Sequence, residues 1–448
     1  MQRIALSTIV VIYLVLAAFY AIFTPKWQAP DEPAHFNYIR HIGETGTLPV
    51  LQSGDYDQAY LERIKAAKFP ATMSIDPIRY EAYQPPLYYL AATPVYLFAR
   101  GFGVDATVIA LRLFSVVLGV LVLVVAFRII HRIFPADDLL ALATVGLMAT
   151  VPQHLAISTS ISNDLAAELV LISILWLAVK RAQDAVNDKY FVMLGGILFG
   201  AALLTKTTTY IPGAILLLTA EIAQQRNALH APRHTRFALR VPSNALIVFA
   251  VGVLIAAPMF LRGALTYGIT DPLGIARHDA VVLGQPTTAE MIARHGLPRI
   301  AFDFFAVTFK SFWAQFGWMG VLVNDRIYVA LAMLCALALL GFAFYTLRFL
   351  RQRNRLTPTQ RTSFGLLLLL CVVAFADYVA YNFKFLQFQG RYLFPALISI
   401  AFILVVGLRE LIAREYQHIV FALLYGSMVV LDLMCLFWFI IPQLRIAN

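Results

Sequence analysis

Two successive carboxylates, Asp31 and Glu32, precede His35 in the stretch TPKWQAPDEPAHFNYIRHIGETGTLP. The i,i+4 spacing of Asp31 and His35 places them on one face of a helix. Such a set can take a proton from a hydroxyl or ligate a hard cation. Pro33 suits a first helical position, Asp31 or Glu32 an N-cap, and Gly46 a stop. A helix running to about Glu44 is therefore expected. Its apolar Phe36, Ile39 and Ile42, with Tyr38, suit the surface of a membrane. A structural reading is also complete: a capping aspartate, a solvated first-turn glutamate and a surface histidine. The residues alone leave both readings open.

Three further sets carry chemistry. In Tyr80-Glu81-Ala82-Tyr83-Gln84-Pro85-Pro86-Leu87-Tyr88-Tyr89, two prolines forbid a regular helix interior and stiffen a turn that can hold Glu81 and Gln84 over the cavity of Asp31. The tyrosines equally suit an interfacial belt. In Ser158-Thr159-Ser160-Ile161-Ser162-Asn163-Asp164, Ser162 or Asn163 can cap the next helix and Asp164 can complement its dipole. Glu168 lies one turn further in, where a carboxylate costs about 2–3 kcal/mol and so faces a cavity or a partner. The third set is cationic: Arg112, Lys206, and Arg391 within Gln389-Gly390-Arg391-Tyr392-Leu393-Phe394-Pro395. Each alone can snorkel to headgroups. Together they can form an anion site, with Arg gripping phosphate through two donors and Lys acting as a point charge. Asp377 and Asp432 are further buried acids to which no catalytic role is given.

The elements that must position these groups follow from composition. The chain has 448 residues, 60% hydrophobic and only 13% charged, with mean hydropathy +0.74. These values exclude a soluble enzyme, a disordered chain and a disulfide-rich secreted domain. They indicate an all-α polytopic membrane protein. Spans of roughly 20 apolar residues are expected near 4–23, 108–130, 139–158, 164–180, 190–205, 207–224, 243–262, 327–348, 364–383, 392–408 and 419–441, eleven in all. The first lacks a convincing cleavage site and reads as an anchor. Residues 87–100 are apolar but short and carry Pro94.

The positive-inside rule decides their place. With the N-terminus inside, the inside segments 1–3, 128–138, 180–189, 225–242, 348–363 and 409–418 hold 17 Lys and Arg, against 3 in the short outside turns. Counting 87–100 as a span would put nearly all the basic turns outside, so it is placed on the outer surface. The net charge of +10 is then a matter of topology and not of nucleic acid. Two large extracytoplasmic segments result, 24–107 with nine acidic residues and 263–326. A loop as long as the first is usually functional. The cysteines Cys335, Cys371 and Cys435 lie in apolar runs and suggest no disulfide framework or thiolate metal site.

The acidic pair after the first span, the EAYQPPLYY stretch, the acid at the next outer turn and the late QGRYLFPAL together resemble the GT-C superfamily of membrane glycosyltransferases. That superfamily includes the protein O-mannosyltransferases and the aminoarabinose transferases that modify lipid A. The order and topological side of the motifs, which span residues 31 to 395, carry the resemblance. DEPAHFNYI, EAYQPPLYY and QGRYLFPAL look most like an uncharacterised bacterial family within it. The resemblance implies one transmembrane domain over 1–448, with surface helices in the first extracytoplasmic loop and a sugar donor on a polyprenyl phosphate. It places Asp31 at the reaction centre with Glu32 beside it, makes Asp164 the second acid and gives Arg391 a late cationic role. The sequence departs from the aminoarabinose transferases at Gln84, where a Lys often precedes the proline. A large C-terminal soluble domain, common in oligosaccharyltransferases, is not expected.

The resulting expectation is a transferase in the bacterial inner membrane, active on the extracytoplasmic side. Asp31, Glu32 and Asp164 are its catalytic candidates; Arg391, Lys206 and Arg112 would hold the donor phosphate; His35, Glu81, Gln84 and Tyr88 would contact substrate. Its partners are a polyprenyl-phosphate sugar, a glycan, lipid or protein acceptor, and membrane lipids, with no nucleic acid. A divalent metal is compatible with Asp31, Glu32, His35 or Asp164, but no closed ligand set with metal spacing is visible. The alternative is a transporter or flippase of a lipid-linked sugar using Asp377 and Asp432. The lack of internal repeats weighs against it.

Overall fold

The computed structural model describes residues 2–229, 242–351 and 356–446. Parts of the basic segments 225–242 and 348–363 therefore lie outside the described residues. Each of the eleven expected spans falls on helix. Among the described residues, seven helices are long and apolar enough to cross a bilayer: Gln2–Phe23, Val104–Ile133, Ser243–Tyr267, Asp325–Arg351, Pro358–Asn382, Gly390–Leu411 and Arg414–Leu444. An eighth crossing is the pair Asp138–Ala149 and Pro152–Ser158, bent by 68°. Pro152 explains the break, because it has no N–H to donate and steers the preceding residue out of helical geometry. Three expected spans are helical but shorter or more charged. Asp188–Leu203 has 16 residues, Asp164–Ala182 carries Glu168, Lys180 and Arg181, and Tyr210–Leu229 carries Glu221 and Arg226. Among the described residues, length and composition by themselves support seven or eight spans and leave the expected count of eleven unconfirmed.

Leu254, Leu261 and Leu265 on one helix and Met333, Leu337 and Leu340 on another are exposed. A surface this apolar needs lipid, not water, against it. The protein is an integral membrane protein. Helices meet closely where side chains are absent. At Gly341 and Gly407 an added Cβ would strike the backbone of the facing helix, so Asp325–Arg351 and Leu397–Leu411 pack along small residues.

The two long connecting segments cover one end of the bundle. In the first, helices Glu32–Thr45, Gln58–Ala66 and Leu87–Ala99 flank a short 3-10 turn, Tyr80–Tyr83. Leu87–Ala99 has 13 residues, too few to cross a bilayer. These elements share an aromatic core of Trp27, Phe36, Tyr38, Tyr80, Tyr89 and Tyr96. Tyr38 stacks on Tyr89 at 3.7 Å between ring centres and donates its hydroxyl to the Gln84 carbonyl at 3.0 Å. Asn37 donates to the carbonyls of Ile75 and Ile78 at 2.7 and 2.9 Å. One helix face therefore fixes the turn that carries Tyr80 and Glu81. The second segment contributes helices Ile275–Val281, Thr288–His295 and Leu297–Trp313, then a two-stranded hairpin, Gln315–Phe316 with Val321–Leu322.

Candidate active site

Asp31 ends the linker from the first span and precedes helix Glu32–Thr45. Its backbone is left-handed, φ 66° and ψ −5°, and its side chain makes no capping bond. The capping role open to it in sequence is therefore not taken. The carboxylate turns instead to two donors: the Tyr80 hydroxyl at 2.7 Å on Oδ1 and Arg391 Nη2 at 2.5 Å on Oδ2. Arg391 also lies 3.7 Å from Asp164 Oδ2 through Nη1. The other Asp164 oxygen pairs with Lys206. Two acids and two cations thus alternate, Asp31–Arg391–Asp164–Lys206, although their positions in the chain run from 31 to 391. Arg391 enters from the 3-10 turn Gly390–Ala396, Asp164 from the first residue of Asp164–Ala182, and Lys206 from the connection between Asp188–Leu203 and the turn Thr207–Thr209.

This chain of charges lines a cavity of about 160 Å³ that also receives His35, Glu81, Gln84, Asp377 and Tyr392. Ligand pockets for drug-sized molecules span about 300–1,000 Å³, so this one has room for a small polar group only. Gln84 ties the wall together, accepting from Asn163 Nδ2 at 3.4 Å and donating to the Tyr83 hydroxyl at 3.2 Å.

A family model for dolichyl-phosphate-mannose-protein mannosyltransferase matches residues 84–261. No curated protein sequence matches the chain. Among solved structures, the Archaeoglobus fulgidus oligosaccharyltransferase, crystallised with Zn and sulfate, superposes with TM-score 0.51 at 15% identity over 98% of this chain and 53% of its own. The chain thus spans about half the length of that enzyme. ArnT from Cupriavidus metallidurans, bound to undecaprenyl phosphate, superposes with TM-score 0.51 at 14% identity over 98% of this chain and 73% of its own. The chain has the GT-C fold.

Within this GT-C fold, three expected site residues lie elsewhere. Glu32 is fully buried and grips Arg112 through two bonds, Nε to Oε1 at 2.8 Å and Nη2 to Oε2 at 2.7 Å. Glu32 also accepts from the backbone N–H groups of Trp27 at 2.9 Å and Ile161 at 3.3 Å. Arg112 spends its remaining donors on the carbonyls of Ala21, Thr24 and Pro25. Neither residue lines the cavity. Tyr88 is buried with its hydroxyl 3.4 Å from Ser115, facing the second span. Glu168 finds its partner in His154, 2.9 Å away on the bent segment.

The electrostatics divide the acids at this cavity. Burial pushes the Asp31 carboxyl up, but the charges of Arg391 and His35 and the bonds from Arg391 and Tyr80 hold it below the ordinary carboxylate value. Burial, reinforced by the charge of Asp31, pushes Glu81 up to about 7. One of its oxygens, Oε2, is sealed from solvent without a hydrogen-bond partner among the described residues. Burial lowers His35 to about 4, so its imidazole is neutral near pH 7 and shares its Nδ1 with the Tyr89 hydroxyl at 2.8 Å.

Among the described residues no three His, Cys, Asp or Glu side chains converge as a metal site. Asp31, Asp164 and Glu32 are each paired with a cation. Sequence reasoning gave no role to Tyr80, Tyr392, His278, Gln285, Gln387 or Gln389, all of which line the cavity. Tyr80 sits beside Glu81 in a recognised motif; the glutamines carry no spacing signal.

Proposed function

We propose that the chain is a glycosyltransferase that moves a sugar from a polyprenyl-phosphate donor to an acceptor hydroxyl at the outer face of the membrane, with Asp31 as base. The observation that carries this reading is the alternation Asp31–Arg391–Asp164–Lys206 around a small polar cavity at the end of an apolar bundle. A lipid-linked donor needs a cationic seat for phosphate beside a carboxylate, next to lipid. The match to ArnT, a protein solved with undecaprenyl phosphate, supports the same donor class.

In this reading the donor phosphate competes for Arg391 and Lys206. Each exchange frees a carboxylate oxygen. As Arg391 turns to phosphate, Asp31 loses the charge that depresses its proton affinity and becomes a stronger base. It takes the acceptor proton while the hydroxyl oxygen attacks the anomeric carbon. The bond to phosphate breaks, and Arg391 and Lys206 stabilise the charge that grows there. Direct displacement inverts the anomeric centre. Glu32 and Arg112, expected in sequence to be catalytic and phosphate-binding, are assigned a structural role because each exhausts its donors or acceptors on the other and on backbone. Asp164 holds Lys206 and Arg391 in register until phosphate arrives.

The test incubates purified wild type and Asp31→Asn with a panel of polyprenyl-phosphate sugars and envelope acceptors. Release of free polyprenyl phosphate by wild type, lost in an equally folded variant, supports the reading. Equal release from both removes Asp31 from the mechanism.

A further inference from the structure

Asp31 lies in the wall between two cavities. On one side is the cavity with Asp164, Lys206 and Arg391. On the other is a cleft of about 200 Å³. Asp31, Tyr80, Gln285, Gln387 and Gln389 line both. A carboxylate placed this way touches two compartments at once, as a base between two substrates must.

The chemistry of the second cleft is specific. Its walls bring together four carboxamides, Gln58, Gln285, Gln387 and Gln389, from three separate segments of the chain. Carboxamides donate and accept, as hydroxyls do. Gln389 donates through Nε2 to Gln387 Oε1 at 2.7 Å. Its own Oε1 is buried with no donor among the described residues. Turning the carboxamide toward the cleft would offer this oxygen to a ligand O–H, whereas a phosphate or carboxylate oxygen could not satisfy it.

An aromatic wall completes the cleft. Trp318 is fixed by a bond from Nε1 to the Trp27 carbonyl at 2.8 Å and by stacking on Phe69 at 6.0 Å between ring centres. The chain turns through three consecutive left-handed residues here, Gly317, Trp318 and Met319, with φ of 55°, 51° and 69°. Bulky residues seldom adopt that conformation, and such outliers gather at ligand sites. The charges balance: Glu62 pairs with Lys65 at 2.7 Å, and Asp31 pairs with Arg391. No unpaired cation among the described lining residues awaits an anion.

We propose that this cleft holds the acceptor, and that the acceptor is a neutral glycan whose sugar hydroxyls bind the glutamines against the Trp318 wall. This rests on the transferase reading above and names its acceptor class. One hydroxyl donates to Gln389 Oε1 while its neighbour faces Asp31. In the transfer, the acceptor oxygen bonds to the anomeric carbon and its proton passes to Asp31. The bond from that carbon to phosphate breaks, and its electron pair leaves with polyprenyl phosphate.

The experiment measures binding of maltotetraose, mannotetraose and chitotetraose to the purified full chain by saturation-transfer NMR, beside a short Ser/Thr peptide and a bisphosphorylated glycolipid. At least one oligosaccharide should bind wild type. Its affinity should fall at least tenfold in Trp318→Ala and in Gln285→Ala, and less in Trp318→Phe. In steady-state transfer both alanine variants should raise the acceptor KM far more than they lower kcat. The proposal is overturned if no oligosaccharide binds, if both variants bind as wild type does, or if the peptide or glycolipid binds in their place. Oligosaccharide binding that depends on Trp318, with no donor turnover by wild type, would sink the transferase reading while leaving the cleft a glycan site.

Discussion

Asp31 and Glu32, adjacent in the chain, are bound to different arginines: Asp31 to Arg391 at the cavity and Glu32 to Arg112 in the core. The left-handed backbone at Asp31 separates the two side chains. One acid is left among groups that can be exchanged for substrate. The other is committed to joining the first span, the first loop and the second span, through the carbonyls of Ala21, Thr24 and Pro25 that Arg112 also holds.

Substituting Asp31→Asn should still give a folded protein, since Asn also accepts left-handed geometry and Arg391 keeps Asp164 as a counter-charge. It should lower the transfer rate by about 10²–10⁴, the usual contribution of a positioned base. Turnover with the preferred donor, set beside the thermal unfolding midpoint in detergent, checks both halves.

The neighbouring Glu32→Gln should show the reverse pattern. Removing one charge of a buried pair costs about 3–5 kcal/mol, because the other is left uncompensated. The variant should unfold at markedly lower temperature or fail to accumulate, and any surviving folded fraction should retain most of its specific activity. A stable Glu32→Gln protein with no activity would return Glu32 to the chemistry.

Glu81 gives a signature in pH. Burial and the charge of Asp31 raise it from the ordinary 4.5 to about 7. The folded state therefore holds a proton that the unfolded chain releases earlier. Stability is greatest below the unfolded value and falls as pH rises through about 7. Glu81→Gln should abolish that decline, and Asp31→Asn should shift it to lower pH. Unfolding midpoints recorded between pH 5 and 8 for the three proteins would show it; parallel profiles for wild type and Glu81→Gln would contradict the assignment.

Arg391→Lys keeps the charge but loses the planar fork that reaches Asp31 and Asp164 together. The donor KM should rise about tenfold or more, in line with the roughly 1.5–3 kcal/mol of a hydrogen bond to a charged group. Gly390→Ala should do similar harm without altering charge, because an added Cβ collides with the Phe312 backbone and displaces the turn that carries Arg391. Unchanged donor kinetics in both variants would remove Arg391 from phosphate binding.

Apolar runs made each expected span legible as helix, because a bilayer demands length and hydropathy together, whereas the surface helices Gln58–Ala66, Thr288–His295 and Leu297–Trp313 gave no such signal. The runs did not reveal that Pro152 bends one segment, nor that Asp164–Ala182 and its two successors are too short or too charged to count by the same standard. Asp31, Asp164, Lys206 and Arg391 could be read as a group because each is a charged residue at the end of an apolar run, and those ends meet. Glu32 and Arg112 satisfy the same description. Only the backbone angle at Asp31 and the direction of helix Val104–Ile133 distinguish them, and a string of residues carries neither. Gln285 and Gln387 were invisible for a different reason, and Gln389 was seen only as a neighbour of Arg391. A carboxamide has no periodicity or charge to announce it, and its meaning comes from convergence between distant segments.

The left-handed backbone of Asp31 also limits what mutation can teach there. An alanine at this position would carry the strain of a Cβ crowding a carbonyl, about 1–2 kcal/mol, besides losing the carboxylate. An alanine scan would thus merge a conformational defect with a chemical one. The replacements that sit comfortably in this geometry are Gly and Asn, and neither can accept a proton at neutral pH. Glu has a carboxylate but a longer reach and a poorer tolerance of the turn. Position 31 is in this sense mutationally cornered: residues that fit the backbone cannot do the chemistry, and the nearest residue that could do the chemistry does not fit the backbone.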